Sequence, residues 1–390
     1  MEVLMHISAK NLSRAFIALF GVLIIGLGIT SCTIFESNEE KLPEIFSSIE
    51  DGKADVDVLE TVHIQAVGGK LDYVTLVNEE TGKEVKAELD GNEWYNIEPL
   101  AFNNSYKLTA KATKDGKAVI RTQTFATIMP DNYTAPMVYP PDGSVVGVAQ
   151  PVAVKFDEPI ADRKRAQKCI HIETTPKVEG AFFWVSNREV RWRGEHFWEP
   201  GTKIDVKVDC YGQDMGNGIF AEANAKSSFT IGERVEGFAD DKTHELIIKK
   251  NGKTIRTIPI AMGTDRFPTP NGIYYIGDKH EHIVMDSSTF GVPVDSADGY
   301  KTDVQWATRM SYSGIFIHAA PWSVWAQGNT NASHGCLNVS TENGKWVYDT
   351  LKPGDPVTVT NTKGPTLPGD DGLGDWNIPW SEWKEGNADG

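Results

Sequence analysis

Short runs in which apolar and polar residues alternate constrain this chain more than any other feature. "VHIQAV", "YVTLVN", "YKLTAKA", "PVAVKF", "EVRWR" and "KIDVKVD" send every second side chain to one face, the period of a half-buried β-strand. Asp90-Gly91, Asp115-Gly116 and Asp142-Gly143 stand between them as turn signals. The segment 103–128, "NNSYKLTAKATKDGKAVIRTQTFATI", is echoed at 200–231 by "PGTKIDVKVDCYGQDMGNGIFAEANAKSSFTI". Each runs from a polar entry through an alternating strand and a Gly-containing turn to a closing strand. Two β-sandwiches follow from this, over 52–130 and 131–232, jointed within the proline-rich stretch Pro130 to Pro141. A chain of 390 residues is too long for one core.

From about residue 233 the pattern changes. "ELIIKKNGKTIRTIPIAMG" reads as a hairpin turned at Asn251-Gly252. The segment 341–351 is the one convincing helix, with Ser340 as N-cap, Trp346, Val347 and Leu351 on one face, and Pro353-Gly354 as its stop. Residues 233–362 therefore form a mainly β domain with one inserted helix. The last segment, 363–390, carries Trp376, Trp380 and Trp383. Three indoles on a short polar tail are expected to dock on the preceding domain.

The N-terminus sets the compartment. Lys10 and Arg14 precede the apolar run Ala15 to Ile29, and "ITSC" ends at Cys32. A basic start, a short apolar core and small residues before a cut describe an export signal. Cysteine at the cut resembles the lipobox of bacterial lipoproteins, which makes Cys32 the lipidated first residue of the mature chain. An uncleaved anchor is the alternative, but fifteen apolar residues fall short of the roughly 20 needed to span a bilayer. Residues 33–51 then read as a polar tether at the outer face of the cell membrane. A formal net charge of −16 excludes a nucleic-acid partner, since phosphate binding needs a basic surface.

Cysteine parity points to the chemistry. With Cys32 lipidated, Cys169, Cys210 and Cys336 remain in an oxidising compartment, and one must be unpaired. Cys169 and Cys210 lie in strand-like contexts of one domain; spacing alone does not show whether they are bonded. Cys336 stands in "NASHGCLN". Upstream, the strand Gly314 to His318 puts Phe316 and His318 on one face, and Cys336 returns eighteen residues later. A thiol attacks only as thiolate, and a nearby imidazole lowers its pKa by taking the proton and holding positive charge. Gly335 lets the amides of Gly335 and Cys336 converge on a tetrahedral oxyanion. These parts define acyl transfer, with His318 as base and His334 supporting the loop.

"HAAPWSVWAQGNTNASHGCLNVS" resembles the signature of L,D-transpeptidases: a histidine, fourteen residues, then Ser-His-Gly-Cys-x-Asn. The whole chain is similar to the actinobacterial lipoprotein members, with two immunoglobulin-like domains, a β catalytic domain and a Trp-rich tail. The resemblance implies Cys336 as nucleophile and His318 as base, its ring oriented by the main-chain carbonyl after it or by that of Ser333. It implies Tyr300 as a lid tyrosine near the oxyanion. Met285, Thr302, Ser313, Gly314, Trp322 and Asn338 match positions lining the substrate cleft. It further implies a peptidoglycan tetrapeptide stem as substrate, no cofactor for catalysis, and carbapenem β-lactams as covalent inhibitors.

Three other readings compete. The same Cys/His pair with water as acceptor gives an L,D-carboxypeptidase or cysteine peptidase. Tandem sandwiches alone would serve a non-catalytic wall-binding lipoprotein. His280 and His282 with His318, His334 and Cys336 would make a Zn²⁺ set. In the second sandwich, Asp214, Asn217 and the backbone of Gly218 offer hard oxygen ligands to a structural Ca²⁺, against a plain Gly-rich turn.

Overall fold

The computed structural model describes residues 41–389, so the lipobox and Cys32 lie outside the described residues. The first sandwich packs two four-stranded sheets face to face. In the strand Ser105–Lys114, Tyr106, Leu108, Ala110 and Ala112 point into the core while the residues between them do not. The turn to the strand Lys117–Thr127 has positive φ at both Asp115 and Gly116, the backbone that a tight hairpin requires. This sandwich begins earlier than expected: Glu44–Ser47 pairs with His63–Val67. The end of the expected tether is thus a strand, because Ile45 reaches the core while Glu44 and Phe46 on either side stay exposed.

The second sandwich repeats the pattern. Lys203–Val208 sends Ile204, Val206 and Val208 inward and pairs antiparallel with Ala225–Ile231, as the sequence echo implies. Cys169 and Cys210 are bonded within its core. The two sandwiches meet at Phe102, whose ring contacts Tyr133, Tyr211 and Phe220.

The strand Glu189–Gly194 departs from simple alternation, being buried from Val190 to Gly194. Its outward face carries Arg191 and Arg193, and the C-terminal segment covers both. Arg191 donates to Asp375, Gly372 O and the Tyr275 hydroxyl. The Arg193 guanidinium lies 4.5 Å from the ring of Trp376 and 4.2 Å from that of Trp383. Trp383 is fully buried, stacks on Phe183 and donates to Ala181 O. The indoles therefore dock on the second sandwich, because the cations that accept them are there, while Asp371 and Asn377 tie the same tail to the domain before it, through Tyr312, Ser313 and Ile273.

The catalytic region has two sheets. One runs Lys253–Pro259, Glu245–Lys250, Val235–Asp240, Pro356–Thr360, Gly272–Tyr275; the other runs Lys279–Asp286, Lys301–Arg309, Phe316–Ala319, Leu337–Val339. The helix Thr341–Thr350, capped by Ser340 Oγ on Asn343 N, packs on the second sheet. Gly344 allows the close approach: a Cβ there would stand 3.0 Å from Ala319 N.

Candidate active site

The second sheet ends in a parallel pair in which Ile317 faces Leu337 and His318 faces Asn338. Period two splits the pair. Ile317, Leu337 and Val339 enter the main core, while Phe316 and Cys336 join Val304 and Ala307 in a smaller cluster on the opposite face. His318, Asn338 and Cys336 share that face and line one cavity of about 190 Å³. Met285, Tyr300, Thr302, Trp322, Ser333 and His334 line it too, together with Val304 and Ala332, which the sequence did not single out.

The cysteine loop is held at many points. Ser333 Oγ accepts from Gly335 N and donates to Cys336 O. Thr269 Oγ1 donates to Gly335 O and accepts from Gly263 N. The amides of Ala332 and Ser333 both donate to Met262 O. Gly335 is obligatory here: its φ is 122°, and a Cβ would meet Ile315 Cδ1 at 2.7 Å. The His334 ring rests between those of Phe267 and Tyr300, a roof rather than a base. Thr269, Met262 and Phe267 lie far upstream, so no local motif marked them. The Gly335 amide is committed to Ser333 Oγ and does not join the expected pair of inward amides.

His318 Nδ1 lies 3.0 Å from Ala319 O. A carbonyl only accepts, so Nδ1 carries the proton and Nε2 is left basic. Of the two orienting carbonyls considered, the one after the histidine meets the ring; Ser333 O accepts from Thr264 N instead. Burial pushes the imidazole down to about 4, with the Ala319 carbonyl pulling the other way. Burial likewise pushes the Cys336 thiol up to about 11, opposed by the Phe316 backbone. Burial of both groups thus favours a neutral resting pair over the thiolate and imidazolium expected from sequence. The thiol donates to Gly314 O at 3.5 Å. Burial also raises the Tyr300 phenol to about 12, so it stays an O–H donor.

Not every expected residue reaches the cavity. Gly314 is not on its lining and meets the Cys336 thiol through its carbonyl, and Ser313 turns away, its amide on Asp371 Oδ2 and its hydroxyl on Ser311. His280 pairs with Asp278, and His282 faces Asp303. Among the described residues no three His, Cys, Asp or Glu side chains converge as a metal set. Asp214 accepts from Gly216 N, and the Arg165 guanidinium sits beside it, while Asn217 and Gly218 form a positive-φ turn. A cation already at the carboxylate does not fit a Ca²⁺ cradle. A larger cavity of about 650 Å³, lined by Tyr139, Arg191, Tyr275 and Tyr312, contains neither Cys336 nor His318.

Known families match both parts of this architecture. Residues 53–214 match a bacterial Ig domain, and residues 236–359 match the L,D-transpeptidase catalytic domain. Sandwich modules followed by an acyltransferase domain are thus the class that the fold defines. The chain is 54% identical to L,D-transpeptidase 2 of Mycobacterium tuberculosis over 349 residues, 89% of this chain and 85% of the relative. A structure of LD transpeptidase LdtMt1 in complex with imipenem superposes with a TM-score of 0.52 at 36% identity, covering 60% of this chain and 100% of that one. A structure of L,D-transpeptidase 3 from M. tuberculosis in complex with a faropenem-derived adduct does so with a TM-score of 0.50 at 33% identity, covering 58% and 98%. The chain belongs to the L,D-transpeptidase family and is an acyltransferase.

Proposed function

We propose that Cys336 is the nucleophile of a peptidoglycan cross-linking reaction and that His318 is its base. The thiol proton passes to His318 Nε2 as Sγ bonds to the carbonyl of the third stem residue, a diaminopimelate. The Cys336 amide and the Tyr300 hydroxyl receive the developing oxyanion. The C–N bond then breaks, and the proton on Nε2 goes to the departing D-alanine amine. The side-chain amine of a second stem attacks the thioester, gives up its proton through His318, and frees the thiol. The Ala319 carbonyl holds Nδ1–H throughout and offsets the positive ring.

One observation carries this reading: an unpaired thiol and an imidazole with its tautomer fixed share one face of a parallel strand pair, in a single cavity. Among the described residues the cavity is lined by no Asp, Glu, Lys or Arg, which suits the retention of neutral reactants. The same attack opens a β-lactam ring, so carbapenems acylate Cys336, as complexes of related enzymes with imipenem and a faropenem-derived adduct suggest. Lipid on Cys32 would anchor the chain to the outer face of the cell membrane, with the sandwiches as a spacer. Incubation with a disaccharide-tetrapeptide tests the reaction. A cross-linked dimer with free D-alanine is expected, and tripeptide alone would make the protein a hydrolase.

A further inference from the structure

Among the described residues, the loop after His318 carries the most exposed large hydrophobic side chain of the catalytic region. Trp325 is 70% exposed, with Val324 and Trp322 at 52% and 53%. This exposure is not slackness. Ser323 among the three and Ala326 directly after them are buried. Ser323 Oγ accepts from Asn338 Nδ2, Gln327 Nε2 donates to Ala320 O, and Gly328 N donates to Ile260 O. A rigid loop thus holds two indoles outward, that of Trp322 on the lining of the catalytic cavity and 6.1 Å from the His318 ring, that of Trp325 three residues further along the same loop. An exposed indole on a fixed frame is costly unless something covers it.

We propose that this loop is a carbohydrate platform, on which Trp325, seconded by Val324, stacks the sugar that bears the donor stem. The proposal rests on the transpeptidase reading, because a stem peptide hangs from a glycan. Charge decides the chemistry of the occupant. From Met310 to Thr341 the chain has no Asp, Glu, Lys or Arg, so the loop itself supplies no charge to fix an ionic ligand. A pyranose ring presents a face of C–H groups to the electron-rich indole and hydroxyls at its rim. A membrane surface suits it less: interfacial aromatics act with flanking Lys or Arg, and a chain of net charge −16 is repelled by anionic lipid. Reach agrees. With the third stem residue at Cys336, two residues and a linker span on the order of 10 Å to the sugar, which puts it outside the cavity and on its rim.

The test compares kcat/KM for sugar-free tetrapeptide and disaccharide-tetrapeptide in the full chain and in Trp325→Ala. The full chain should favour the disaccharide form by about three- to tenfold, mostly in KM. Trp325→Ala should bring the two substrates to parity while leaving sugar-free turnover and imipenem acylation unchanged, and Trp325→Phe should restore part of the preference. Parity in the full chain, or an equal loss on both substrates in Trp325→Ala, overturns the platform. Turnover of neither peptide removes the transpeptidase reading instead, and tryptophan fluorescence with a stem-free glycan chain then decides. Quenching that disappears in Trp325→Ala keeps the platform; no quenching removes it. A Trp325-dependent blue shift with phosphatidylglycerol vesicles, and no response to glycan, gives the loop to lipid and also overturns it.

Discussion

Cys336 and His318 sit in the same dry surroundings, which push the thiol up to about 11 and the imidazole down to about 4. Between those values both groups are neutral, and the proton must move as the bond forms. The rate of acylation by a carbapenem should therefore be flat from roughly pH 5 to 10, falling on the acid side as Nε2 becomes protonated. Stopped-flow acylation against pH checks this; a bell with limbs near 6 and 8 would point to a preformed thiolate and imidazolium. The side chains that carry the chemistry were legible in sequence, since Ser-His-Gly-Cys and the strand ending in His318 are local patterns. Their charge state was not, because burial is contributed by Val304, Phe316 and other residues that no spacing connects to Cys336.

At the scale of elements, two glycines hold the strand pair in place. Gly335→Ala places a Cβ 2.7 Å from Ile315 Cδ1 at a φ of 122°. It should abolish acylation while leaving the melting temperature within a few degrees, since the strain is confined to one loop. Gly344→Val crowds the backbone of Ala319, next to His318. It should cost about 1–3 kcal/mol in chemical denaturation and slow acylation as well. Unchanged acylation in either variant would show that loop and helix do not set the site geometry. The turns at Asp115-Gly116 and Asn251-Gly252 were legible, both residues of each having positive φ. The supporting hydrogen bonds of Thr269 and Met262 were not, because they join the cysteine loop to a segment more than sixty residues upstream.

At the scale of the whole molecule, the tail and the second sandwich are joined by a buried ion pair. Asp375→Ala removes the fully buried one of the two carboxylates that Arg191 pairs with, leaving Glu189 alone to offset the buried guanidinium. The cost should be about 3–5 kcal/mol, seen as a lower urea midpoint and exposure of Trp383 to quenchers. Alternation in "EVRWR" puts Arg191 and Arg193 on one face, and only a tail more than 180 positions later makes that face interior. Asp355 lies at the joint between the second sandwich and the catalytic domain, beside Gly147, with one oxygen unpartnered. Burial pushes its carboxyl up to about 7 from an ordinary 3.8. The folded protein thus binds a proton that the unfolded chain releases. Stability from this group is full below about pH 4 and is lost as pH rises toward 7. Asp355→Asn should raise the melting temperature at pH 8 and leave it unchanged at pH 4. An equal shift at both would show that the carboxyl does not titrate in this window.

The measurement that bears most directly on the nucleophile is the intact mass of the protein after exposure to imipenem, taken for the wild-type chain and for Cys336→Ala. The wild-type chain should gain the mass of one inhibitor molecule, and Cys336→Ala, with its fold intact, should gain none. An adduct that persists in Cys336→Ala would place the reacting atom elsewhere and contradict the assignment of the site.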